Sequence, residues 1–90
     1  MKTATFKVPD GKLLKVRLKA EDGAIQEVVL LGDFFMHPED ALPELESQLV
    51  GLSLDSELLT SVIEEFLSIN EVTLIGAAAS DITKVILMAE

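Results

Sequence analysis

The sequence has 90 residues and no cysteine, which leaves room for one domain and excludes a disulfide framework, a thiolate metal site, a cysteine nucleophile and a sulfur carrier. The net charge of −9 argues against nucleic-acid binding, which requires clustered basic residues to displace counterions. Hydrophobic residues make up 49% of the chain, enough for a packed core, without the run of about 18 apolar residues that a membrane span needs. We therefore expect a folded cytoplasmic protein that contacts neither nucleic acid nor membrane.

The first third of the chain predicts three strands, over about residues 3–8, 13–20 and 25–31. In the second of these, apolar residues alternate with lysine and arginine, the pattern of a strand with one buried face. Tight turns separate the strands, because Pro9-Asp10-Gly11 and Asp22-Gly23 contain the residue types that β-turns require. Three strands joined by two such turns form an antiparallel meander.

The third strand lacks a clear alternation, since residues 28–31 are all apolar. Either both faces of this strand are covered, or a β-bulge shifts its register. The sequence leaves both alternatives open.

The remainder of the chain predicts helices over about residues 38–50, 56–68 and 80–89. Apolar residues recur there at three- and four-residue spacing, which is typical of a helix with one buried face. Residues 72–75 form a short apolar segment that is either a strand or a connection. Three strands followed by three helices predict an α+β domain over residues 1–90, with the helices packed on one face of a small sheet.

The ends of the helices carry capping signals. Pro38, followed by two acidic residues, predicts the start of the first helix. Asp55 or Ser56 is a candidate N-cap for the second helix, and Ser80 for the third. Pro43 lies five residues after Pro38, so the first helical turn is either separate or kinked.

Positive charge is concentrated at the start of the chain. The first 19 residues contain six of the seven basic residues and one acidic residue, a net charge of +5. The remaining 71 residues contain one basic and fifteen acidic residues, a net charge of −14. Two interpretations stay open: a contribution to solubility with internal charge complementarity, or a basic strand surface that faces an anionic group or an acidic partner.

No combination of residues predicts a catalytic site formed by this chain alone. The single histidine, His37, cannot form a histidine-rich metal site, and beside Pro38 it suits a loop or a helix N-terminus. Acidic pairs such as Glu64-Glu65 lie on predicted helices, where such pairs are usually solvated. The chain has neither a nucleophile elbow nor a phosphate-binding glycine-rich loop. We therefore expect no catalytic residue, no metal site and no activity from the isolated chain.

Residues 7–13, here called the lysine turn, combine a hairpin tip with two lysines. Backbone N–H groups exposed at the tip, between two ammonium groups, would suit an anion or an acidic partner. The alternative is an ordinary turn with solvated lysines. The candidate residues are Lys7, Asp10, Gly11 and Lys12.

Residues 32–40, here called the elbow, place two adjacent phenylalanines in a predicted connection. Both rings cannot easily enter one small core, so one would anchor the sheet while the other covers the hairpin or contacts a partner. The side chain of Asp33 would accept backbone N–H bonds that fix the turn. The alternative is a purely structural elbow. The candidate residues are Gly32, Asp33, Phe34, Phe35 and His37.

The order and spacing of these segments resemble the C-terminal accessory domain of lipoate–protein ligases, and most closely the free-standing version found where the ligase is split into two chains. The resemblance rests on Lys7-Val8-Pro9-Asp10-Gly11-Lys12-Leu13, Asp22-Gly23, Ile25, Gly32-Asp33-Phe34-Phe35, Pro38-Glu39-Asp40-Ala41-Leu42, Leu45-Glu46 and Leu49-Val50-Gly51. It is dense over residues 7–51, thin over residues 52–75 and weak over residues 76–89. One departure is Asp10, where the family pattern leads us to expect a glycine.

The resemblance implies an accessory subunit that forms a heterodimer with a separate catalytic subunit. In this family the catalytic domain binds lipoate and ATP with Mg²⁺, forms lipoyl-adenylate, and passes the lipoyl group to a lysine of a carrier domain. The accessory domain resembles the sulfur-scaffold folds of the SufE and NifU type, without their cysteine chemistry, and supports the adenylation step. The resemblance therefore implies that this chain alone binds no cofactor. It places Lys7 and Lys12 toward the nucleotide phosphates or an acidic patch of the partner, and the elbow in the interface.

Two other classes of function are compatible with the residues. A non-enzymatic adaptor could use its acidic helices to bind an unrelated basic protein. A small enzyme could use paired carboxylates, although no spacing in the chain favours such a pair. Stimulation of a ligase catalytic subunit by this chain would separate the accessory subunit from both.

Overall fold

The computed structural model describes residues 1–90 and begins with a three-stranded antiparallel sheet, in the order β1 (Lys2–Lys7), β2 (Leu13–Glu21) and β3 (Ala24–Gly32). On β2 the alternation in the sequence becomes a difference in burial. The apolar residues in the first part of the strand are mostly buried, and the lysine and arginine residues between them are exposed. The predicted antiparallel meander is confirmed.

A β-bulge lies near the start of β3. Lys19 pairs with Glu27 and Ala20 pairs with Ile25, so that Gln26 is an extra residue on β3. An extra residue in one strand shifts its alternation by one position. Of the two alternatives that the sequence left open, the structure has the bulge.

The bulge determines which residues of β3 are buried. Ile25, Val28 and Leu30 face the core, whereas Val29 is half-buried and Leu31 is 41% exposed. The apolar residues 28–31 therefore alternate between the buried face and the opposite face of the sheet.

Three helices cover one face of the sheet: α1 (Ala41–Leu49), α2 (Ser56–Ile69) and α3 (Ala79–Met88). Helix α3 packs on β1 and β2, α1 packs on β3, and α2 packs on the other two helices. The predicted α+β class, with helices on one face of the sheet, is confirmed. The most deeply buried apolar side chains of the domain are Leu14, Val16, Leu18, Ile25, Leu45, Leu49, Leu59, Ile63, Ile82, Val85 and Ile86.

Two helices begin at residues other than those that the sequence indicated. Helix α1 begins at Ala41 rather than at Pro38, because the carbonyl of Pro38 accepts the Ala41 N–H in a separate turn (3.0 Å). Pro43 then falls in the first helical turn, where a backbone N–H would have no partner within the helix, and causes no kink.

The N-cap of α3 is Ala78, not Ser80. The carboxylate of Asp81 accepts the Ala78 N–H at 2.8 Å, so the helix starts before the serine. On α2, Asp55 is the N-cap and accepts the N–H of Leu58 at 2.8 Å.

A second, two-stranded sheet joins the elbow to a distant part of the chain. It pairs β4 (Phe35–His37) with β5 (Thr73–Ile75) in antiparallel orientation. The sequence predicted only a connection at residues 33–37, and that prediction is wrong for β4. The segment 72–75, left open by the sequence, contains the strand β5. None of the helices has both the length and the hydropathy that crossing a bilayer requires.

Candidate functional site

The backbone of the lysine turn is held by its own hydrogen bonds. The Val8 N–H donates to Lys12 O (3.1 Å), and the Gly11 N–H donates to Val8 O (2.9 Å). The Lys12 N–H donates to the carbonyl of Gly76, which follows β5, at 2.8 Å. The expectation that this tip exposes a set of free N–H groups is therefore wrong, because Pro9 has no N–H and most of the others are bonded.

The two lysines of this turn have different surroundings. The Lys7 Nζ donates to Gly11 O (2.6 Å) and to Val8 O (3.1 Å), so its charge is directed at the carbonyls of the turn itself. The ammonium of Lys12 donates no hydrogen bond within the chain, although its side-chain stem lies against Gly76. Of the two, Lys12 is the one whose charge is available to a partner.

Asp10 occupies the left-handed region, with φ of 58°. Glycine adopts this region without strain, and aspartate is among the few other residues that tolerate it. The departure from the glycine expected at this position thus keeps the backbone conformation and adds a carboxylate at the tip. Gly11 is confined for a different reason, since a Cβ there would lie 2.5 Å from the Gly76 oxygen.

The elbow begins where β3 ends. Gly32 has φ of 136°, a conformation that favours glycine, and a Cβ at this position would overlap the Leu13 carbonyl. The Asp33 N–H donates to the same carbonyl at 2.9 Å. The carboxylate of Asp33 accepts no hydrogen bond from the chain, so the predicted role of that side chain in fixing the turn is wrong, and the backbone does this instead.

The two phenylalanines of the elbow point to different sides. Phe34 is half-buried and packs against the core, whereas Phe35 is 47% exposed. Phe35 pairs across the small sheet with Ile75, which is 54% exposed, and its ring stacks on that of His37 at 6.2 Å between centroids. One phenylalanine therefore anchors the elbow while the other contributes to an exposed apolar and aromatic surface.

An open groove of about 310 Å³ lies beside this surface. Leucine and phenylalanine side chains line most of it, and Glu39 supplies a carboxylate at its border. Its lining residues are Leu30, Leu31, Gly32, Phe34, Phe35, Met36, Glu39 and Leu42. A groove of this kind suits an apolar side chain of a protein partner.

The lysine turn and the elbow meet at Gly76, a residue that the sequence interpretation did not select. Its carbonyl accepts the Lys12 N–H, and a Cβ on Gly76 would lie 3.6 Å from the Phe34 Cα. The available signal was the run of small residues from Gly76 to Ala79, which permits close approach of backbones. All the predicted site segments therefore lie at one end of the sheet.

The remaining candidate, His37, is exposed and takes part in the aromatic stack rather than in a cluster of ligands. The structure contains no group of three or more histidine, cysteine, aspartate or glutamate residues that could hold a metal ion. The arrangement thus offers surfaces for contact with another molecule.

Comparisons with known proteins agree over most of the chain. The family model described as bacterial lipoate protein ligase C-terminus matches residues 5–86. Lipoate-protein ligase A subunit 2 of Thermoplasma acidophilum is 35% identical over 66 residues, which cover 73% of this chain and 67% of that relative.

A solved structure gives the same result for the fold. It comes from an archaeal lipoylation system of Thermoplasma acidophilum, a bi-partite lipoate protein ligase and its E2 lipoyl domain. The matching chain superposes with a TM-score of 0.80 at 28% identity, over 93% of this chain and 91% of that chain. The chain therefore belongs to the family of lipoate–protein ligase C-terminal domains.

Proposed function

We propose that this chain is the accessory subunit of a bipartite lipoate–protein ligase. It works with a separate catalytic subunit in the ATP-dependent activation of lipoate to lipoyl-adenylate, before transfer of the lipoyl group to a lysine of a carrier domain. The observation that carries the proposal is the likeness, over nearly the full length of both chains, to a chain in the solved structure of the Thermoplasma acidophilum bi-partite ligase and its E2 lipoyl domain.

The chain contributes surfaces rather than reacting groups to this activity. An adenylation barrier is lowered when loops are ordered around the reactants and water is excluded, and a docked subunit can do both. Phe35 and Ile75 form an exposed apolar pair beside the groove, and exposed aromatic residues of this type commonly anchor protein interfaces. We assign the elbow to the interface with the catalytic subunit.

Lys12 is the group of the lysine turn that faces the nucleotide phosphates or an acidic patch of the partner. Its ammonium is not bonded within the chain, whereas that of Lys7 is directed at Val8 O and Gly11 O. Lys7, Asp10 and Gly11 then act by holding the turn in shape. We therefore assign the partner-facing role predicted for the lysine turn mainly to Lys12.

The residues of this chain do not fit a Mg²⁺ site of their own, since they form no cluster of three potential ligands. ATP and lipoate are the substrates of the ligase complex, and we assign their binding, together with that of Mg²⁺, to the catalytic subunit. No step of the reaction is assigned to a metal held by this chain.

A reconstitution assay tests the proposal. The catalytic subunit from the same organism is assayed with and without this chain, for pyrophosphate release from ATP and lipoate and for lipoylation of the carrier domain. We expect this chain alone to release no pyrophosphate and its addition to stimulate the catalytic subunit. Unchanged activity of the catalytic subunit would contradict the proposal, as would pyrophosphate release by this chain alone.

A pair of matched variants tests whether stimulation of the catalytic subunit depends on the elbow. Phe35 and Met88 are both apolar and similarly exposed, but Met88 lies at the end of α3. We expect Phe35→Ser to weaken stimulation and Met88→Ser to leave it unchanged. Equal effects of the two variants would show that the elbow is not the interface.

A further inference from the structure

The face of the three-stranded sheet opposite the helices carries a line of positive charge. Lys15, Arg17 and Lys19 alternate with the buried residues of β2 and are exposed on that face. Alternate residues of a strand lie about 7 Å apart, so the three side chains form a straight row on the central strand of the sheet. We call this row, with its neighbours on β1 and β3, the outer face.

Most of this charge has no partner within the sheet. Lys15 lies opposite Thr5 and Leu31, and Arg17 lies opposite Thr3 and Val29. Only Lys19 faces an acidic residue, Glu27. Like charges at this spacing repel, and of the 16 acidic residues of the chain only Glu27 lies directly opposite the row in the sheet.

The outer face also contains apolar residues, which lie on β3. Because of the bulge in β3, Val29 and Leu31 lie beside the basic row, and Leu31 at the same time lines the groove of the elbow. The basic row and the groove are thus parts of one continuous surface. A partner that fills the groove with an apolar side chain would lie over the row as well.

We propose that the outer face binds an acidic surface of the catalytic subunit, with carboxylates about 7 Å apart that lie over Lys15 and Arg17 and an apolar side chain that enters the groove next to Leu31. The basic row is complementary in charge to an acidic protein surface, whereas the net charge of −9 on the whole chain repels nucleic acid. The proposal rests on the proposed function, since it names the chemistry of that partner's surface.

Charge reversal on the outer face provides the test. Arg17→Glu and the double variant Lys15→Glu/Arg17→Glu are compared with Lys84→Glu, which makes the same change on α3, where the Lys84 ammonium lies 4.6 Å from the Phe6 ring centroid. Affinity for the catalytic subunit is measured by calorimetry at about 0.05 M and 0.5 M salt. Circular dichroism melting curves confirm that each variant is folded.

We expect Arg17→Glu to weaken binding about tenfold or more at low salt, with a smaller loss at high salt, and Lys84→Glu to change it less than about twofold. Equal effects of Arg17→Glu and Lys84→Glu, or binding independent of salt, would overturn the proposal. In that case stimulation of the catalytic subunit by the wild-type chain would still support the proposed function. Absence of both wild-type binding and stimulation would instead contradict the proposed function itself.

Two further measurements decide between possible occupants. Sedimentation of the isolated chain detects self-association, in which the acidic helices of a second copy would bind the outer face. Titration with a single-stranded oligonucleotide detects nucleic acid. Self-association or oligonucleotide binding that is lost in Arg17→Glu would overturn the assignment to the catalytic subunit, whereas a monomer without oligonucleotide affinity supports it.

Discussion

The lysine turn and the elbow lie side by side but differ in what they leave exposed. Most polar groups of the lysine turn are bonded within the chain, whereas the elbow leaves an apolar side chain exposed. In the lysine turn, most backbone N–H groups and the Lys7 ammonium bond to carbonyls of the chain itself or of Gly76. In the elbow, the backbone is fixed at Gly32 and Asp33, while the side chain of Phe35 remains exposed, as does that of Ile75, its partner on β5. The lysine turn, which has the stronger charge signal in the sequence, is therefore mainly a structural support, and the exposed apolar surface lies in the elbow beside it.

The largest effect is expected where the elbow leaves the sheet. Gly32→Ala combines a positive φ with overlap of the new Cβ and the Leu13 carbonyl, and should lower the free energy of unfolding by roughly 2–4 kcal/mol. Urea denaturation measures the loss. The control is Gly23→Ala, where φ is 77° but no atom lies within 4 Å, with an expected loss of about 1 kcal/mol. Equal losses would show that close packing of the elbow on β2 contributes nothing.

Substitutions of the two phenylalanines of the elbow distinguish a contribution to stability from a contribution to binding. Phe34→Ala removes a half-buried ring from the core and should cost roughly 1.5–3 kcal/mol of stability. Phe35→Ala should cost less than about 1 kcal/mol, since its ring is exposed, but should weaken binding to the catalytic subunit about tenfold. Denaturation and calorimetry of both variants make the comparison. A reversed order of the two stability losses would contradict the burial seen here.

Substitution of Asp10 tests the backbone of the lysine turn. Valine does not tolerate positive φ, so Asp10→Val should lower stability by about 1–2 kcal/mol. Asp10→Gly should change stability by less than about 0.5 kcal/mol, because relief of strain is offset by greater freedom of the unfolded chain. Thermal unfolding of the two variants distinguishes them. If both lose the same stability, the Asp10 carboxylate rather than its φ matters.

Substitutions of the two lysines are expected to affect stability less than Asp10→Val does. Lys7→Met should cost about 0.5–1 kcal/mol by removing the bonds to Val8 O and Gly11 O, and should slow adenylation less than Lys12→Met does, because Lys7 acts only through the shape of the turn. Lys12→Met keeps the stem that lies on Gly76 and should cost less than about 0.5 kcal/mol, but slow lipoate activation more than transfer from preformed lipoyl-adenylate. Separate assays of the two half-reactions with the reconstituted pair measure this. Equal losses in both would indicate general weakening of the complex, and no loss in either would leave Lys12 as a solvated side chain.

Local patterns were sufficient to predict the α+β fold and its family. The alternation in β2 and the Pro-Asp-Gly and Asp-Gly turns act over a few residues, and the structure confirms the meander that they predict. The helical spacing of apolar residues around Leu59 and Ile63 likewise predicted the buried face of α2. These features depend on neighbours in sequence, which is why a single sequence contains them.

The parts that could not be predicted depend on distant residues. The strand β4 exists because Met36 pairs with Leu74, 38 positions away, and three residues alone give no strand signal. The acceptor of the Lys12 N–H is Gly76, which no turn rule can anticipate. The roles of the site residues in binding remain predictions, because they concern a second chain.

The bond between Lys12 and Gly76 has a consequence for how docking could be followed in solution. This single amide proton lies where the two segments meet, and its exchange with deuterium requires the turn to separate from the loop after β5. Because an occupied elbow would hold that loop in place, the exchange rate of the Lys12 amide serves as a native reporter of partner engagement, readable by NMR without any label on the interface. The amides of Val8 and Gly11, whose acceptors lie within the turn, provide an internal reference in the same spectrum.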